Sequence, residues 1–183
     1  MRYPGHTSPR VVENFILILN YHTNPVTLAH QNITMTLKEK VYMRCVAALN
    51  EKIHLLKHLL DDLRESASNE TKSTAGDKHE TALAMLQIEQ RNTGNQLEQL
   101  NIQKRMLGKL VPSPHEFPIR NGSLVSTDKG YFFLSIALGK INLEGFTIIA
   151  LSTQSPLGAK FVGAKLNDTV ILNGISYQIQ SVE

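Results

Sequence analysis

The stretch that decides the fold is YMRCVAALNEKIHLLKHLLDDLRESA, residues 42–67. Apolar residues recur in it at alternating steps of four and three, which is the heptad spacing of a helix that packs along one seam. The pattern therefore predicts a long helix whose apolar stripe is buried against a partner helix. The seam positions are Tyr42, Val46, Leu49, Ile53, Leu56, Leu60, Leu63 and Ala67.

Thr36 and Glu39 mark the start of this helix. A threonine cap followed by a glutamate three residues later is a capping box. The charged, helix-favouring segment MTLKEK begins at Met35. Residues 1–34 show no lasting periodicity and contain scattered prolines. We therefore expect the natural chain to start at Met35, and residues 1–34 to be a disordered or non-native extension.

A second helical stretch runs from about Glu80 to Leu110, and the connecting text SNETKSTAGD has the composition of a turn. Because the connection is short, the two helices should be antiparallel and form a coiled-coil hairpin over residues 35–110, with an acidic tip near residues 70–80. A descending arm of about 30 residues is roughly 45 Å long, so the hairpin should project into solvent. Gln90, Thr93 and Lys104 interrupt the seam formed by Leu83, Leu86, Leu97, Leu100 and Leu107.

The three prolines of a linker at residues 111–118 end the helical region, because proline lacks a backbone donor and disfavours helix in the preceding residue. Downstream, five short runs rich in β-branched and aromatic residues predict strands, and Asn173-Gly174 predicts a hairpin between the last two. The fold class is therefore α+β, with a small antiparallel sheet domain at residues 119–183. We expect that domain to fold without the helices, because its strands carry their own apolar residues. SPLGAKFVGA should form one short helix on the sheet, with Ser155 as its cap.

Composition limits the possible functions. The 183 residues leave room for one ordinary domain or two small ones, and 42% apolar residues are enough to form a core. A net charge of +3 is too small to indicate binding to duplex nucleic acid. A single cysteine excludes an internal disulfide, and the apolar run Phe15 to Leu19 is too short to span a bilayer. These features predict a cytoplasmic protein with no membrane contact.

Asp77 and Glu80 are the strongest candidates for chemistry. If the second helix starts near Asp77, their spacing of three residues places both carboxylates on one helix face. Two such oxygen ligands could share a Mg²⁺ ion, which usually takes one or two protein carboxylates and keeps water or phosphate elsewhere. Alternatively, acidic residues in a first helical turn simply cap backbone N–H groups and complement the helix dipole.

The other candidates carry weaker signals. Cys45 lies on the first helix without a histidine near it in sequence, so an inert, half-buried thiol is expected. The N-terminal residues His6, His22 and His30 lack the spacing of metal ligands. Solvated positions on the helices are expected for His54, His58, His79, Asp61, Asp62 and Glu65.

Over residues 35–183 the order of these parts resembles the bacterial Gre-type transcript cleavage factors. The matching pieces are MTLKEK, GDKHETA at residues 76–82 against the family's Gly-Asp-x-x-Glu-x-Ala tip, SPLGAKFVGA against its Ser-Pro-(Ile/Leu) helix, and the final strand ISYQIQSVE. The resemblance implies an FKBP-like C-terminal domain that docks on RNA polymerase. It also implies that the coiled coil enters the secondary channel and brings acidic residues to the active centre.

Carried over residue by residue, the resemblance implies that Asp77 and Glu80 are the catalytic tip residues and hold a Mg²⁺ shared with the polymerase. The factor would stimulate the polymerase's own cleavage of backtracked RNA. It would be a monomer, not itself an enzyme, with no cofactor bound alone, and would meet nucleic acid only within the transcription complex. The segment implied to bind the partner is Ser155, Pro156, Leu157 and Gly158.

Three alternatives stay open. Asp62 and Glu65 in DDLRESA also look like the tip, although that placement would make the descending arm much longer than the ascending one. A non-catalytic regulator of the same architecture would occupy the secondary channel without stimulating cleavage. A peptidyl-prolyl isomerase is suggested only by the implied FKBP-like fold, and a fold does not carry function.

Overall fold

The computed structural model describes residues 35–72, 77–110 and 118–183. The expected extension at residues 1–34, and the expected linker up to residue 117, lie outside the described residues. The helices are α1 (Leu37–Lys72), α2 (Asp77–Gly108) and α3 (Pro156–Phe161). The strands are β1 (Leu124–Thr127), β2 (Gly130–Ser135), β3 (Gly139–Leu143), β4 (Phe146–Ser152), β5 (Thr169–Leu172) and β6 (Ile175–Val182). The described part of the chain is α+β, as the sequence predicts.

The start of α1 is the predicted capping box. The backbone N–H of Glu39 donates to Oγ1 of Thr36 at 3.2 Å, and the backbone N–H of Thr36 donates to Oε2 of Glu39 at 2.8 Å. This reciprocal pair satisfies donors that a helix N-terminus leaves without intrahelical partners. The prediction of a helix start at this point is confirmed.

The predicted seam is the buried stripe of α1. Every seam position is buried or half-buried, whereas Leu55, one position away from the seam, is 67% exposed. The heptad spacing therefore predicts correctly which apolar side chains of α1 are covered. Buried positions are Tyr42, Leu49, Ile53 and Leu63, and half-buried positions are Val46, Leu56, Leu60 and Ala67.

The stripe of α1 packs against α2 in the antiparallel sense. Leu56 lines a groove together with Gln96, whereas Leu63, further along α1, accepts a hydrogen bond through its carbonyl from Nε2 of Gln90 at 2.9 Å. Residues later in α1 therefore contact residues earlier in α2, so the two helices are antiparallel. Thr93 is buried between these contacts at 4% exposure. Two of the three polar interruptions, Gln90 and Thr93, thus lie in the interface, where the Gln90 bond favours one register, whereas Lys104 is exposed.

The strands form a sheet in the order β3-β4-β2-β1-β6-β5. Four neighbouring pairs are antiparallel, but β2 and β4 are parallel, with Phe132 opposite Ile149. The sheet is mixed, so the expectation of a purely antiparallel sheet is wrong at this pair. The cause is β3, which takes the outer position and returns the chain through a hairpin, so that β4 runs beside β2 in the same direction. β3 is not among the five predicted strand runs, GSLVST, GYFFLSIAL, GFTIIALS, DTVILNG and ISYQIQSVE, because Lys140 and Asn142 interrupt its apolar character.

Two-residue turns close two of the hairpins. Asn173 and Gly174 have φ values of 50° and 77°, so the predicted turn joins β5 to β6 with the positive φ values of type I′. Glu144 and Gly145 have φ values of 50° and 84° and join β3 to β4 in the same way. This second turn is hard to predict because glutamate rarely adopts positive φ.

The sheet has two apolar faces, because successive side chains of a strand point to opposite sides. One face packs beneath α3, whose Phe161 is fully buried against it. The other face is apolar and buried as well, so it also needs a cover. Side chains of the first face include Val125, Phe132, Leu134, Leu151 and Ile179, and those of the second include Leu124, Phe133, Ile141 and Ile148.

The base of α1 reaches the sheet. α1 contacts β3, and Nζ of Lys40 donates to both carboxylate oxygens of Glu144, at 2.9 and 3.1 Å. At this end the buried stripe of α1 widens to include Val41 and Cys45, both 0% exposed. α1 thus contacts the sheet at β3, and residues 35–183 form one compact unit.

Candidate functional site

The predicted acidic site lies at the start of α2. α1 ends at Lys72, and Asp77 is the first residue of the second helix. Glu80 follows three residues later on the same helix face, with an exposed side chain. The side chain of Asp77 lies outside the described residues. The positive end of the α2 dipole favours a carboxylate at either position, so this placement is compatible with both capping and metal binding.

The alternative tip residues lie on the stem of the helical pair. Asp62 precedes the end of α1 by about ten residues, or about 15 Å along the helix axis. Its backbone carbonyl accepts a hydrogen bond from Oγ of Ser66 at 2.9 Å, and Glu65 is exposed. α1 and α2 contain 36 and 32 residues, so the far end of the pair lies at Asp77 and not at Asp62.

The segment Ser155 to Gly158 begins α3, as predicted. Oγ of Ser155 accepts from the backbone N–H of Gly158 at 3.1 Å and donates to the carbonyl of Ser152 at 2.7 Å. Pro156 follows the cap, where a missing N–H leaves no intrahelical bond unmade. Leu157 is half-buried and packs against the core beneath the helix. The prediction of a short helix capped by Ser155 is confirmed.

Gly158 allows α3 to approach β4 closely. A Cβ added to this buried residue would clash with the backbone carbonyl oxygen of Ser152 and lie 2.8 Å from Cδ1 of Leu151. A hydrogen in place of a side chain removes both conflicts. Of the four residues expected to bind a partner, Ser155, Leu157 and Gly158 thus shape the helix, and Pro156 is the exposed one.

We expect Gly158→Ala to destabilise the protein by about 1–3 kcal/mol, because overpacking forces the helix away from the strand. Gly94 within α2 is the matched control, since an added Cβ there meets no atom within 4 Å. Gly94→Ala should stabilise by about 0.5–1 kcal/mol through helix propensity. Denaturant unfolding followed by circular dichroism measures both changes. Equal destabilisation by the two substitutions would contradict the packing argument.

A groove beside α3 provides an exposed surface that the sequence pattern does not single out. Ile171, on strand β5, is 62% exposed, and Val162, directly after α3, is 46% exposed. Ile171 is among the residues that line the groove, and an exposed apolar side chain at a groove is a common feature of surfaces that contact other proteins. Hydropathy does not reveal this surface, because Val170 is buried and Ile171 exposed within one apolar strand. The groove is lined by Lys160, Ala164, Asp168, Thr169, Val170 and Ile171.

The aromatic side chains near α3 pack on one another. The ring centroids of Phe132 and Phe161 are 5.3 Å apart, and Tyr177 lies 5.7 and 6.1 Å from them respectively. Phe132 and Phe161 are buried. The residues that line the groove beside α3 include no aromatic.

Cys45 lies in the buried base of α1. Burial raises the pKa of its thiol from 9.0 to about 12, and burial also raises the pKa of the nearby Tyr42 hydroxyl. Because the thiolate is the nucleophilic form of cysteine, this thiol is inert at neutral pH. The raised pKa and the burial agree with the expected unreactive thiol, but the side chain is fully buried, whereas the sequence suggests a half-buried one.

The stability of the protein should fall at alkaline pH because of this thiol. Above pH 9 the unfolded chain loses the Cys45 proton while the folded chain keeps it up to about pH 12. The unfolded state then binds fewer protons, so the free energy of unfolding falls as pH rises, by about 1.4 kcal/mol per pH unit. Urea unfolding from pH 8 to pH 10.5 measures this slope. Cys45→Ala should flatten it, and an unchanged slope in that variant would contradict the assignment.

No three or more His, Cys, Asp or Glu side chains within 35–72, 77–110 and 118–183 come together as a potential metal site. None of the helices in those ranges combines the length and apolar character needed to cross a bilayer. Comparison of the chain with protein-family models, curated proteins and solved structures finds no match.

Proposed function

We propose that this protein is a secondary-channel factor of bacterial RNA polymerase that stimulates the polymerase's own cleavage of backtracked RNA. The observation that carries the proposal is a pair of helices of 36 and 32 residues whose far end lies at the acidic residues Asp77 and Glu80. A helix of this length extends for about 50 Å. A narrow rod with carboxylates at its end has the shape needed to reach a deeply placed active centre.

The proposed architecture is an antiparallel coiled coil followed by an FKBP-like domain. The heptad stripe of α1, buried against α2, supports the coiled coil. The capped SPLG helix on the sheet and the terminal β5–β6 hairpin support the second part. Their order along the chain is the order that the resemblance to Gre-type factors requires.

In this proposal Asp77 and Glu80 hold a Mg²⁺ ion shared with the polymerase. A second metal ion in such a centre helps to stabilise the attacking and leaving oxygens of an in-line displacement. Two carboxylates supply only part of the octahedral shell of Mg²⁺, so the free factor would hold the ion weakly. Accordingly, the protein alone is not an enzyme and needs no cofactor of its own.

We assign polymerase docking to the surface beside α3. Val162 and Ile171 offer exposed apolar contacts there, and Lys160 and Asp168 line the groove with one charge of each sign. Pro156 adds a further exposed side chain at the start of the helix. The protein would act in the cytoplasm as a monomer and meet nucleic acid only within the transcription complex.

A non-catalytic regulator with the same architecture is the second candidate. It is favoured by the position of Asp77 and Glu80 in the first turn of α2, where acidic residues have an ordinary capping and dipole role. Such a protein would occupy the channel and alter initiation or exclude other channel factors.

The deciding experiment measures RNA cleavage in a stalled, backtracked elongation complex with and without this protein. Binding to the same complex is measured in parallel by native gel shift. Binding together with faster cleavage supports the proposed function. Binding without faster cleavage supports the regulator, and absence of binding contradicts both.

A further inference from the structure

His54 and His58 form a close pair on the outer face of α1. Their Nε2 atoms are 3.1 Å apart, and their rings meet edge to face with centroids 4.3 Å apart. Both side chains are exposed. They are one helical turn apart and lie opposite the seam positions Ile53, Leu56 and Leu60 that face α2. The pair takes no part in the acidic site or in the groove beside α3.

We propose that this pair binds a divalent transition metal ion of the Zn²⁺ class through both Nε2 atoms. Imidazole nitrogen is a preferred ligand of such ions, whereas Mg²⁺ prefers oxygen. With metal–nitrogen bonds of about 2.0–2.1 Å, two atoms 3.1 Å apart subtend an angle of about 95–100° at the ion. This lies between the right angle of octahedral geometry and the tetrahedral angle, so the separation of the two nitrogen atoms is compatible with binding one ion in place of their mutual hydrogen bond.

The backbone favours this geometry. Residues four apart on a helix are stacked on one face, which is the spacing by which the two histidines of an H-E-x-x-H helix bind zinc. α1 runs without interruption from Leu37 to Lys72, so the spacing of the pair is held by regular helix on both sides. A bound ion would in turn link two successive turns of α1 and stabilise the helix.

The rest of the coordination shell is open to water. Asp61 and Asp62 lie three and four residues after His58, and Oδ1 of Asp61 already accepts from Nη1 of Arg64 at 3.1 Å. Among the described residues no third ligand converges on the histidine pair. The site is therefore exchangeable, unlike a closed structural zinc site with four protein ligands.

The test is titration of the full chain with ZnCl₂ by isothermal calorimetry, with NMR of the histidine ring C–H signals to identify the ligands. The chain contains seven histidines, so the ring signals are needed to separate this site from others. We expect the His54 and His58 signals to respond together. His54→Ala and His58→Ala should each weaken zinc affinity at this site by at least about tenfold, since one ligand of two is lost.

The matched control exchanges neighbouring residues, His58→Leu with Leu59→His. It keeps the number of histidines but turns one ring by about 100° around the helix, so it should weaken zinc binding as strongly as His58→Ala. Zinc should also raise the thermal unfolding midpoint of the unaltered protein more than that of the exchange variant. Equal zinc affinity in the unaltered protein and the exchange variant would overturn the proposal. So would ring signals of His54 and His58 that do not respond to zinc.

Discussion

Asp77→Asn combined with Glu80→Gln should abolish stimulated RNA cleavage while leaving polymerase binding nearly unchanged. The amides keep the shape of the carboxylates but lose the charge that a shared Mg²⁺ requires. The seam between α1 and α2, and the surface beside α3, lie on other parts of the molecule and are untouched. Cleavage in the backtracked complex and gel-shift affinity, measured on the same preparations, separate the two properties.

The control for this prediction is Asp62→Asn with Glu65→Gln. These side chains are exposed on the stem of the helical pair, so the change should leave cleavage almost unaltered. If Asp77 and Glu80 only cap α2, their substitution should also be nearly silent, because asparagine caps a helix as well as aspartate does. Loss of cleavage in the Asp62 and Glu65 variant, with activity retained in the Asp77 and Glu80 variant, would place the tip in DDLRESA.

A fragment that starts at Ser113 and ends at Glu183 should fail to fold cooperatively. It keeps α3 and the face of the sheet beneath it, but it loses α1, whose base contacts β3 and which we expect to shield the other face. Leu124, Phe133 and Ile148 on that face are 2%, 1% and 0% exposed in the whole protein. Returning these side chains to water costs about 1.5–3 kcal/mol each, and the sum is comparable with the whole stability of an ordinary domain, about 5–15 kcal/mol.

Amide NMR spectra and urea unfolding of the fragment measure this effect. A fragment of residues 35–183, which keeps helices and sheet together, is the control and should show dispersed resonances and a single unfolding transition. Dispersed resonances from the shorter fragment would show that the sheet carries a sufficient core by itself. The sequence alone favours independent folding of the shorter fragment, because prolines in the linker and apolar strands after it are typical of a separate domain.

The elements that could be predicted from sequence are those set by local interactions. The box of Thr36 and Glu39, the cap at Ser155 and the Asn173-Gly174 turn each involve residues close together in the chain. The seam of α1 belongs to the same class, because helix geometry alone places residues three and four apart on one face. Residue types at short spacing were sufficient to predict the two caps and the turn, and the period of the apolar residues was sufficient to predict the seam.

The candidate site could be predicted only in part. The position of Asp77 and Glu80 at the far end of the helical pair follows from the lengths of the two helices, which the sequence pattern indicates. The surface around Val162 and Ile171 could not be predicted, because exposure of an apolar side chain depends on what the rest of the chain places beside it. The approach of His54 to His58 depends on side-chain conformations that spacing permits but does not determine.

The start of α1, the stripe that α1 buries, and the caps and the turn can be read from sequence, because each depends on residues only a few positions apart. Three features require the folded structure: β4 runs parallel to β2, Gly158 must lack a side chain beside Ser152, and the base of α1 reaches the sheet through Lys40 and Glu144. These features join residues far apart in the chain. The apolar pattern of a strand indicates that its side chains will be buried, but not which distant element will cover them.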